Sequence, residues 1–170
     1  MKMEEVLYED FFEALERNKV KYLAVGGIAV LIYGVIRVTV DLDLVIDLEE
    51  ENIKRFTKVI KKFKYKWKIP VSLKDLMNPE NIKKWIRKKN LKAINFYKED
   101  DPLDSVDLIV DLPFSFKEIY KRKKVVRIRE DLSIKVISLK DLKRMKRKAS
   151  RPKDLADVDA LERMEKIEKD

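Results

Sequence analysis

The chain has 170 residues, 45% hydrophobic and 42% charged, with 40 basic against 31 acidic side chains and a formal charge of +9. That length suits one domain, or one domain with a small appendage. The sequence holds no Cys and no His, which excludes disulfides, thiolate metal sites, imidazole bases, Ser-His-Asp triads and nearly all zinc chemistry. Any catalysis must run on carboxylates, Lys, Tyr, Ser or Thr, or on hard metals held by oxygen. The basic excess favours an anionic partner such as nucleic acid or a nucleotide, or else belongs to a solvated lysine-rich surface. Gln is absent while Lys, Glu and Ile abound, the trend of heat-adapted proteins. The opening residues lack the apolar run of a signal peptide, and no run approaches the ~20 residues of a membrane span. A soluble, cytoplasmic protein with no membrane partner is expected.

Residues 4–18 carry Val6, Leu7, Phe11 and Leu15 at helical spacing. "VKYLAVGG" reads as a buried strand running into a glycine turn, and "IAVLIYG" as a short buried helix closed at Gly34. "VDLDLVID" alternates with period two and predicts a strand. Residues 49–63 follow as an amphipathic helix, with Ile53, Phe56, Val59, Ile60 and Phe63 on one face. Pro70 and Pro79 punctuate the next stretch, where "SLKDL" predicts one helical turn and "PENIKKWIRKK" a longer helix opened by its proline. "LKAINFY" and "SVDLIVDL" predict two strands joined by the acidic turn "KEDDPLD". "SFKEIYKR" predicts a short helix, "KVVRIR" and "LSIKVI" a hairpin around "EDL", and "SLKDLKRMKRKAS" a helix capped by its first serine. A last helix runs from about Pro152 to the end. The order predicts a mixed α/β (α+β) fold: a small, mostly antiparallel sheet with flanking helices. The whole chain, 1–170, forms one domain in this reading, with a core over 1–137 and a helical segment over 138–170.

Three carboxylates, Asp41, Asp43 and Asp47, alternate within an otherwise apolar run. On a strand, Asp41 and Asp43 share a face, about 7 Å apart at the α-carbons. Like charges this close raise each other's pKa unless something positive sits between them, and a divalent cation answers that need. If "SVDLIVDL" lies beside this strand, Asp107 completes a three-carboxylate cluster able to hold two magnesium ions for phosphoryl or nucleotidyl transfer. Gly26 and Gly27 would let backbone N–H groups approach a phosphate. Taken singly, a glycine pair also makes a tight turn, and Asp-x-Asp also makes a solvated strand face.

The stretch "GGIAVLIYGVIRVTVDLDLVID" resembles the signature of the DNA polymerase beta superfamily of nucleotidyltransferases, within it the small AbiEii/AbiGii-type toxin branch. "SLKDLKRMKRKASRPKDLADVDAL" is similar to the closing part of that branch. The resemblance covers roughly residues 20–47 and 138–161, with Asp107 between. It implies a nucleotidyltransferase-like fold moving a nucleoside monophosphate from an NTP to an acceptor hydroxyl, with two magnesium or manganese ions. Asp41 and Asp43 would bind both metals, and Asp107 would help hold one and accept the proton of the attacking hydroxyl. Gly26 and Gly27 would contact the triphosphate, and Lys146 would neutralise phosphate charge. Arg151 or Lys153 would touch phosphate, with Asp154 orienting one of them, while Arg37 and Thr39 would position the run into Asp41. Many active members have Gly-Ser where this chain has Gly27.

The implied partners are an NTP and an RNA acceptor, a tRNA end first, or a protein hydroxyl, with a cognate antitoxin or other partner protein in a toxin–antitoxin setting. "RKK" at 87–89, "KRKK" at 121–124 and "KRMKRK" at 143–148 would supply phosphate contacts. Trp67, Trp85, Tyr97 and Tyr120 would stack bases or join the core. Lys146 and Arg151 read equally as a basic helix surface, and Asp157 as a surface ion pair with Lys153. The competing reading is a non-catalytic module of the same fold that binds nucleic acid, nucleotide or a protein.

Overall fold

A computed structural model describes residues 8–76 and 78–170. The expected first helix therefore appears as α1, Glu9–Arg17, and the part of that expectation at 4–7 lies outside the described residues. Then follow β1 (Tyr22–Val25), α2 (Gly26–Ile32), β2 (Leu42–Ile46), α3 (Glu50–Lys62), β3 (Lys66–Trp67), α4 (Leu73–Leu76) and α5 (Pro79–Lys89). The chain continues through β4 (Ala93–Tyr97), β5 (Ser105–Ile109), α6 (Phe116–Lys121), β6 (Lys124–Arg129), β7 (Leu132–Val136), α7 (Leu139–Ala149) and α8 (Pro152–Lys169). None of the described helices is long and apolar enough to cross a membrane.

The seven strands form one mixed sheet in the order β3-β4-β5-β2-β1-β7-β6. Four pairings are antiparallel, while β2–β5 and β1–β7 are parallel. The sheet is mostly antiparallel as expected, but wider than the small sheet predicted. The short β3, against Tyr97 and Phe96 of β4, carries too few residues to show a period in the sequence.

Period-two alternation sorts the central strands into two faces. Leu42 pairs with Val106 and Leu44 with Leu108 across β2–β5, while Ile94 and Phe96 of β4 pair with Leu108 and Val106. All six are buried. Phe56 of α3 meets Phe96 edge to face, ring centres 5.7 Å apart, so this face is a continuous apolar layer. Helix α2 packs on β1 and β2, α1 on α3 and β7, and α7 and α8 pair as a hairpin. The cap of α7 forms as its sequence predicts: Ser138 Oγ accepts the Asp141 N–H at 3.2 Å. Burial opposes ionisation of Asp141, yet hydrogen bonds from Arg122 and Ser138 hold its carboxyl below the usual range.

Because Leu44 lies at the centre of the apolar layer, truncating it leaves a cavity that the sheet cannot close. Leu44→Ala is expected to lower unfolding free energy by about 2–5 kcal/mol, read from the urea midpoint at constant m-value.

Candidate functional site

The face opposite the apolar layer carries a polar row. Val25 pairs with Asp43, Asp43 with Asp107, and Asp107 with Asn95, across four neighbouring strands. Adjacent strands stand about 4.8 Å apart, so Asp43 and Asp107 are side by side. Asn95 Nδ2 donates to Asp107 Oδ1 at 2.6 Å. One step along the strands, Ser105 Oγ donates to Asp41 Oδ1 at 2.6 Å. Asp47, by contrast, belongs to the turn into α3: it accepts the Glu49 N–H at 3.2 Å and joins no cluster. Asp111 falls beyond the end of β5 and pairs with Lys92 at 2.7 Å.

Burial pushes the Asp43 carboxyl up to about 6, with Asp107 and Asp41 adding to the rise and Lys146 and Lys153 opposing it. That balance shows an acidic cluster whose neighbouring cations do not fully neutralise it. It also puts the C-terminal helices within electrostatic reach of the N-terminal strand pair. The structure thus brings Asp41, Asp43 and Asp107 to one sheet face, with Lys146, Arg151 and Lys153 acting on it from α7, α8 and the turn between them.

The two glycines serve different ends. Gly26 has φ +64°, and a Cβ there would stand 2.0 Å from Asp43 Oδ2. Only glycine fits both the left-handed backbone and the close approach of that carboxylate. At Gly27 a Cβ would lie 2.5 Å from Thr39 Oγ1 and 3.5 Å from Arg37 Cζ. Thr39 and Arg37 thus cover Gly27, and a side chain there would displace them. Both glycines fall inside α2 rather than in a turn before it.

Behind this lies an ion network that sequence reasoning placed only in part. Lys146 is buried, its Nζ 2.8 Å from Asp157 Oδ2 and 3.6 Å from Asp154 Oδ1. Arg37 also binds Asp157. Asp157 is therefore no surface partner of Lys153; it is buried between two cations. Asp154 takes Arg151 Nε at 2.7 Å and Nη2 at 3.2 Å, so it does orient that arginine. Burial works against its ionisation, but the Arg151 bonds and the charges of Arg151 and Lys146 hold its carboxyl below the usual range. Lys153 is exposed.

The stretch at 143–148 offers less free charge than its sequence suggests. Lys143 binds Glu165, Arg144 binds Asp141, Lys146 binds Asp157 and Arg147 binds Glu162. Arg87, Lys88 and Lys89 at the end of α5 are all exposed. Trp67, Trp85 and Tyr120 pack against the core, and Trp67 Nε1 donates to the Val71 carbonyl at 2.9 Å.

The donor set fits a hard dication: three carboxylates, all oxygen, in an under-neutralised field. Among the described residues no three acidic side chains close round one point as they stand, since Asp41 turns to Ser105 and Asp107 to Asn95. Asn95 and Ser105 were missed as site residues, although period two places both on the Asp107 face. No protein-family model matches the chain, and no curated protein matches it.

Two measurements check this electrostatic picture. Asp43 is protonated to higher pH folded than its ordinary 3.8 allows. Its contribution to stability is therefore full below that value and is lost as pH rises through about 6. In chelator, Asp43→Asn is expected to gain on the order of 1–3 kcal/mol over wild type between pH 4 and 7, by urea denaturation across that range. Lys146→Met, which strands a buried carboxylate, is expected to cost about 3 kcal/mol. Asp157→Asn should cost less in that background than alone, with a coupling of about 1–3 kcal/mol in the thermodynamic cycle.

Proposed function

We propose that the protein is a metal-dependent nucleotidyltransferase that moves a nucleoside monophosphate from an NTP to an acceptor hydroxyl. The observation that carries the reading is the polar row: Asp43 and Asp107 in register on neighbouring strands, Asp41 one step away, and Gly26 against the Asp43 carboxylate. A pure binder of polyanions has no use for such a cluster, because like charges raise the cost of approach. Asp41, Asp43 and Asp107 would hold magnesium or manganese. When bound, the ions supply charge neutralisation at the transferring phosphate.

The acceptor oxygen attacks the α-phosphorus and forms the new O–P bond. The bond from that phosphorus to the α–β bridging oxygen breaks, and pyrophosphate leaves with the electron pair. Asp107 takes the acceptor proton: Asn95 holds its Oδ1, which orients the carboxylate and leaves Oδ2 for the proton. Arg151, fixed by Asp154, and the exposed Lys153 would meet the departing phosphates. The basic excess makes RNA the first acceptor, a tRNA end above others, and a protein hydroxyl the second, within the toxin–antitoxin setting that the resemblance implies.

A second reading, a non-catalytic module of the same fold, draws on two observations. Thr39 and Arg37 cover Gly27, and Lys146 is bound by Asp157 and Asp154 rather than free for phosphate.

The deciding experiment incubates the protein with magnesium, α-labelled NTPs and total tRNA. Label should appear on RNA or on protein, and Asp43→Asn and Asp107→Asn should each cut it by about a hundredfold or more. No transfer, with NTP binding equal in wild type and variants and indifferent to magnesium, would leave the binding module.

A further inference from the structure

Residues 35–41, "VIRVTVD", join α2 to β2 as an extended ribbon that belongs to no strand of the sheet. Its exposure alternates residue by residue: Ile36, Val38 and Val40 point out, while Val35, Arg37 and Thr39 are half-buried. The inward side chains are tied down, Arg37 to Asp157 and Thr39 over Gly27. The outward ones are apolar, Ile36 98% exposed and Val38 86%. A solvated strand face normally carries polar residues outward, so this ribbon is inverted. Tyr8 donates to the Val40 carbonyl, and among the described residues no main-chain group pairs with residues 36–40. The Val38 carbonyl accepts from Arg37 Nε at 3.4 Å; the other main-chain groups of 36–39, unpaired among the described residues, and the apolar outer row are what strand addition uses.

The surroundings indicate what would lie there. Beside Val38 and Val40 opens a cavity of about 740 Å³ with an aromatic floor that includes Phe63 and Tyr65. Its walls carry four carboxylates, Glu9, Asp10, Asp101 and Asp104, and one lysine, Lys98, which Asp104 binds at 2.8 Å. On a chain of charge +9, this corner is acidic. Lys98 itself lies over the Phe63 and Tyr65 rings, 5.8 and 5.1 Å from their centres, so the corner repels a phosphate backbone and suits a second cation whose head meets Asp10 or Asp101.

We propose that residues 36–40 are a docking strand for an extended segment of a partner protein in which apolar residues alternate with Lys or Arg. The apolar side chains cover Ile36 and Val38, and one basic side chain enters the acidic cavity. This stands apart from the transferase reading, because its test measures no transfer. A docked segment would also run directly beside Asp41, the next residue of the ribbon, so the partner would sit at the rim of the candidate site.

The probe is a pooled library of heptapeptides with Val, Ile or Leu at alternate positions and Lys or Arg between. The control library has Asp or Glu between, and total tRNA is a third arm. The readout is hydrogen exchange of the amides at 36–40 in the full chain. At roughly ten times Kd the basic library should slow them about tenfold, the acidic library and tRNA should not, and Ile36→Ser with Val38→Ser should abolish the effect. Both substituted side chains are exposed, so neither variant threatens the fold. No slowing, or equal slowing by both libraries, overturns the proposal, as does slowing by tRNA instead. Protection already present without peptide also overturns it: concentration-dependent protection would make a second copy the occupant, and concentration-independent protection the chain's own N-terminal residues.

Discussion

Parallel pairing of β2 with β5 is the constraint on which the candidate site depends. These strands are far apart in sequence, and only their register puts Asp43 next to Asp107 rather than next to Val106 or Leu108. A slip of one residue would turn the carboxylates into the apolar layer and the leucines to water. The register is held by what lies on the other face. Leu42, Leu44, Val106 and Leu108 are all buried in this register, so packing on one side fixes chemistry on the other. The cost appears at Asp43, where burial and two neighbouring acids penalise the charged form.

The second constraint joins the two ends of the chain. Asp157 sits between Lys146 of α7 and Arg37 of the ribbon, and Asp154 holds Arg151 at the start of α8. Breaking one member of a buried ion network leaves an unpaired charge, so such networks enforce a geometry more than they add stability. Here the geometry runs from the C-terminal hairpin through Arg37 to Gly27, and from there along the ribbon to Asp41. The short stretch at 35–41 is thus set by side chains more than a hundred residues downstream, not by a ladder of its own.

Most elements were legible because their periods are clean: β2, β5, α3 and the β6–β7 hairpin all follow from alternation or helical spacing. The pairing of β2 with β5 was conditional in the sequence, since nothing local says which strands meet. Asn95 and Ser105 were hidden by ordinariness, two small polar residues in strands whose aspartates drew the attention. Asp157 was misread for a physical reason. Its spacing from Lys153 suits a helix-surface pair, but helical spacing cannot reveal that α7 buries that face of α8. The basic run at 143–148 misled in the same way, because three of the four acids that pair with it, Asp157, Glu162 and Glu165, lie on the facing helix.

That neutralisation changes what the net charge means. A total of +9 suggests a broadly cationic surface, yet many of the cations near the candidate site are spent on internal pairs, and the nearby cavity is acidic. The surplus is therefore local. An anionic acceptor would be attracted to the far end of α5, where Lys88 and Lys89 are exposed, and to Lys153, and would be repelled from the ribbon side of Asp41. A basic protein segment would meet the opposite pattern. The carboxylate row thus has an exposed cation, Lys153, within electrostatic reach of Asp43, and an acidic cavity beside the ribbon that leads into Asp41, so its surroundings are of mixed sign despite the net charge.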